Sequence, residues 1–155
     1  MSYDEITNLE DISRKAISKI PNESYLVNFD LKVKFNRNLV NTSIRDVELL
    51  AKDFQESECP KTLYMNHGEY INKKTDGIQN VINELKKEKS NRSLISLINQ
   101  EDIIDSKDTP IPSFMILQFS IEEGTKLYVT AYFRALEVAT FLRVNTEEIR
   151  LILKR

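Results

Sequence analysis

Apolar residues recur at Ile6, Leu9, Ile12, Ala16, Ile17 and Ile20, a near-helical spacing that predicts an amphipathic helix over residues 4–20, closed by Pro21. From Tyr25 to Phe35 the period changes to two. Val27, Phe29, Leu31, Val33 and Phe35 then share one face and Asn28, Asp30, Lys32 and Lys34 the other, which predicts a strand. Thr42 or Ser43 can cap a following helix that contains Val47, Leu49, Leu50 and Phe54 and should end near Cys59-Pro60. Lys61 to Tyr70 reads as irregular chain or a short strand. Ile78, Val81, Ile82 and Leu85 mark a helix within residues 75–89, whose Lys86-Lys87-Glu88-Lys89 tail suits the negative end of the helix dipole.

Arg92 to Ile98 is a strand candidate, and Asn99 to Thr109 reads as an acidic loop. Two apolar runs, Phe114 to Ile121 and Leu127 to Phe133, flank Glu122-Glu123-Gly124-Thr125, the composition of a β-hairpin. Neither run alternates strictly, so both strands are expected to be covered on both faces. A helix is predicted from Ala135 to Leu142. Another should start with Asn145 or Thr146 as cap and Glu148 just behind it. The pattern is that of an α+β protein, without repeats, low-complexity tracts or linkers.

Composition narrows the function classes. A chain of 155 residues can bury roughly two-thirds of its unfolded surface around one core, so a single domain over residues 1–155 is expected. With 22 basic and 24 acidic side chains the formal charge is -2, which provides no large cationic field for nucleic acid or anionic lipid. No apolar run approaches the roughly 18 residues of a membrane helix, and the acidic start lacks the basic-then-apolar order of a secretory signal. A cytoplasmic protein without membrane contact is the expectation. One cysteine, Cys59, excludes an internal disulfide, and one histidine, His67, argues against a Cys/His zinc site. Cys59, followed by Pro60, reads as a loop residue rather than a nucleophile. With three glycines in all, a phosphate-cradling glycine loop and a nucleophile elbow are both missing.

One stretch carries a more specific signal. Pro112-Ser113-Phe114, three further residues and then Gln118-Phe119 resembles the thymidylate synthase segment Pro-Cys-His, three residues, Gln-Phe. After the hairpin, Arg134-Ala135-Leu136-Glu137 is similar to that family's Arg-Ser, any residue, Asp. Asn145 falls where the family has the asparagine that pairs with the pyrimidine ring. Gly77-Ile78-Gln79 through Asn91-Arg92-Ser93 looks like the helix leading to the family's Ser-Arg-Arg phosphate clamp. The resemblance covers residues 65 to 155. It implies a thymidylate synthase-like sheet with packed helices, truncated at the C-terminus.

What the resemblance implies about chemistry is largely subtraction. The family's thiolate adds to the ring of a deoxynucleoside monophosphate and primes it for a folate-borne one-carbon unit. Ser113 stands at the nucleophile position, and a serine needs an adjacent base that Phe114 does not supply. Arg92 and Arg134 occupy phosphate-binding positions, where a guanidinium can make bidentate bonds; each can equally serve an ordinary salt bridge. The second clamp arginine is Ser93 here, and Tyr70 stands in the place of another. Glu137 replaces the folate-facing aspartate, Gln118 keeps its place, and Phe141 fills a glycine position beside the pyrimidine. Asn145 can be the base-recognising amide or a helix cap. The sugar-gripping His-Xaa-Tyr pair and closing tail, which come later in the family, have no counterpart before Arg155.

The expectation is a pseudoenzyme that binds no cofactor, retained as an oligomerising, partner-binding module. The resemblance implies a homodimer through a β-sheet face, burying strand faces from Tyr25 to Phe35 and from Phe114 to Phe133. The alternatives are a sensor of dUMP, dCMP or dTMP built on Arg92, Arg134, Asn145, Gln118 and Glu137, and a divergent folate-dependent pyrimidine-modifying enzyme.

Overall fold

The computed structural model describes residues 3–20, 25–34, 45–87, 91–107 and 109–155, with Arg45 described by its backbone alone. Among them are six helices and two small sheets, which makes the protein a mixed α and β structure without a barrel. Contacts divide the chain into two compact units, Met1–Lys52 with Leu136–Arg155, and Asp53–Ala135.

In the first unit, β1 (Asp4–Glu5) pairs in parallel with β2 (Val33–Lys34), and α1 (Leu9–Lys19) follows β1. The helix starts later than its apolar spacing predicts because Asn8 and Asp11 form a reciprocal capping box. Asn8 Oδ1 accepts from the Asp11 amide at 3.1 Å, and Asp11 Oδ2 accepts from the Asn8 amide at 3.3 Å. The predicted strand is also shorter. Val27 and Asn28 turn, with Asn28 at φ 56°, so the alternation survives as side-chain placement: Phe29, Leu31 and Val33 pack against a core of Ile6, Leu9, Ile12, Ala16 and Leu142. Phe35, Thr42, Ser43, Glu88 and Lys89 lie outside the described residues.

Helix α2 (Arg45–Asp53) buries Val47 and Ala51 and stops well short of Cys59-Pro60. The far end of this unit holds α6 (Phe141–Ile152), which packs on α1. This helix corrects the expectation of one helix ending at Leu142 and another capped at Asn145. Thr140 is the N-cap, the Glu137 carbonyl accepts from the amides of Phe141 (3.0 Å) and Leu142 (3.2 Å), and Asn145 lies inside the helix.

The second unit begins with irregular chain, of which Phe54, Asn66 and His67 are buried, and the short α3 (Gly68–Ile71), where a short strand was one expectation. Asn66 is fully enclosed, and its amide donates to the Glu56 carbonyl at 2.6 Å while its oxygen accepts from the Glu69 amide at 3.3 Å. Gly68 passes so close to residues 55 and 56 that a Cβ there would lie 2.0 Å from the Glu56 carbonyl oxygen. Helix α4 (Gly77–Leu85), capped by Asp76, turns Ile78 and Val81 inward and packs against the sheet formed by β3 (Leu94–Ser96), β4 (Phe114–Glu122) and β5 (Lys126–Phe133). Residues 99–107, expected as a loop, contain α5 (Gln100–Ser106), started by a capping box between Asn99 and Asp102.

The strand order is β3-β4-β5, antiparallel throughout, with Gln118 opposite both Leu94 and Thr130. Ile95, Leu117 and Phe119 point to the α4 side and are buried. The opposite face carries Leu94, Ile116, Gln118, Tyr128, Thr130 and Tyr132, all exposed, so the expectation of strands covered on both faces is corrected to one covered face.

Candidate functional site

The six residues singled out by the sequence divide between the units: Arg92, Ser113, Gln118 and Arg134 belong to the second, Glu137 and Asn145 to the first. Within the second unit the register separates the two arginines. The Ser113 carbonyl accepts from the Arg134 amide at 2.8 Å at one end of β4, and the Ser93 carbonyl accepts from the Phe119 amide at 2.8 Å near the other. Phe119 lies six residues beyond Ser113, roughly 20 Å along the strand at about 3.3 Å per residue. Arg92 and Arg134 therefore do not clasp one phosphate group. Gln118 sits between them on the exposed face.

Ser113 is half-buried beside a β-bulge, and among the described residues no hydrogen bond joins its hydroxyl to a base. The nearest imidazole is committed to packing. His67 is buried, stacked on Phe54 with ring centroids 4.9 Å apart and meeting Phe114 edge-on at 5.4 Å; Phe114 in turn stacks on Phe133 at 4.7 Å. That places His67, in the bend that precedes α3, within an aromatic core. Cys59 is half-buried, its thiol within 3.6 Å of the Leu63 carbonyl; burial first, then the Glu69 carboxylate, pushes its pKa up, away from thiolate character.

In the first unit, Asn145 is buried and its amide nitrogen donates to Glu148 Oε2 at 2.8 Å, while Glu137 is exposed. Asn145 is neither a helix cap nor an amide presented to solvent. It belongs to a polar cluster the sequence reading passed over. Glu147, fully enclosed, takes two bonds from Arg150, Nε to Oε2 at 2.6 Å and Nη2 to Oε1 at 2.5 Å. Those bonds raise the Arg150 pKa further above its ordinary value against the desolvation that would lower it. The Glu-Xaa-Xaa-Arg spacing in a helical run was the available signal. Phe141 and Val144 of α6, with Val47 and Leu50 of α2, line an apolar cleft of about 260 Å³.

The remaining concentration of accessible chemistry is the open surface of the three-stranded sheet. Tyr132 is 57% exposed, Leu94 46%, Tyr128 38% and Ile116 37%. The Tyr128 hydroxyl donates to Glu122 Oε2 at 2.7 Å, and Lys126 reaches Glu123 at 2.9 Å. No group of three or more His, Cys, Asp or Glu that could hold a metal ion occurs among the described residues. No described helix is long and apolar enough to cross a membrane. The fold and surface define a mixed α and β protein with an exposed aromatic sheet face. No family model, curated protein or solved structure matches the chain.

Proposed function

We propose that this protein is a non-catalytic module that self-associates through the open surface of the β3-β4-β5 sheet. The observation that carries the reading is the face bearing Leu94, Ile116, Tyr128 and Tyr132. An antiparallel sheet turned to water usually carries polar side chains on that side; here Ile116 lies directly opposite Tyr132 with Leu94 diagonal to it, and Tyr128 stands beyond Gln118 and Thr130, so large exposed apolar side chains are interspersed with polar ones. Tyrosines are suited to a contact surface, since each has a large apolar ring and a polar tip.

Two placements weigh against chemistry at the positions inherited from the resemblance. Among the described residues no base bonds to the Ser113 hydroxyl, and Arg92 and Arg134 stand near opposite ends of β4. The likeness to thymidylate synthases therefore enters as a proposal about descent, a synthase-like core with its site dismantled, rather than about activity.

Sedimentation velocity of the intact chain tests the proposal. Self-association at tens of micromolar is expected, weakened in Tyr132→Asp and Ile116→Asp while their far-UV circular dichroism stays unchanged. A chain that remains monomeric at those concentrations refutes it.

A further inference from the structure

We draw no further inference here: the strongest candidate, the apolar cleft between α2 and α6 lined by Val47, Leu50, Phe141 and Val144, carries nothing because nothing in the structure shows what covers it.

Discussion

Arg150 carries a prediction whose size follows from burial. Its partner Glu147 has no exposed surface, and both carboxylate oxygens accept from the guanidinium. Arg150→Met keeps much of the apolar stem and leaves an enclosed carboxylate without its counter-charge. Breaking such a pair from one side costs about 3–5 kcal/mol, a large part of the 5–15 kcal/mol typical of a folded domain. Urea unfolding followed by circular dichroism at neutral pH measures the loss. Glu147→Leu combined with Arg150→Met should recover much of the loss, since replacing both partners removes the orphaned charge. A single variant that loses less than about 1 kcal/mol would refute the enclosure argument.

Other outcomes follow from the same structure. Gly68→Ala should destabilise the second unit by about 1–3 kcal/mol, because the added Cβ meets backbone oxygens of Gln55 and Glu56 that cannot rotate away; urea midpoints measure it. Phe114→Ala, which removes the ring shared by His67 and Phe133, should cost about 3–5 kcal/mol by the same assay. Calorimetric titration with dUMP should give no saturable heat, because the two arginines do not converge; saturable binding lost in Arg134→Ala would overturn that conclusion. Asp102, with its pKa lowered first by the Lys73 hydrogen bond and then by the Asn99 amide, contributes stability present above its unfolded pKa and lost as pH falls through the lower folded one. Asp102→Asn should therefore flatten the fall in urea midpoint below about pH 4.

The helices legible in the sequence are those whose polar residues face water. Helices α1, α2 and α4 follow their apolar spacing, and the hairpin follows from Glu122-Glu123-Gly124-Thr125, where Glu123 and Gly124 take positive φ. The reading of α6 failed for a physical reason: Asn145, Thr146, Glu147, Glu148 and Arg150 are buried, so polarity no longer marks the solvent side. Asn145 then resembled a cap. Helix α5 was missed although Asn99 and Asp102 are a capping pair, because the acidic run behind them buries nothing. Order along the chain placed Arg92 and Arg134 in a plausible sequence for one phosphate. Their separation became visible only with the strand register.

The division into units has a consequence for the order in which the protein can assemble. Helix α1 packs on α6, yet all of residues 53–135 are synthesised between them. During synthesis the core around Leu9 and Ile12 has no Leu142 to close on, whereas the hairpin and its supporting helix emerge as a continuous segment with short-range pairings. The inner segment can thus settle first, and the long-range contact of α1 with α6 comes last, at the higher loop-closure cost and slower rate of distant pairings. Until then, the apolar stripe of α1 lacks its native partner, so the nascent chain is exposed to misassociation through a helix made well before the one it packs on.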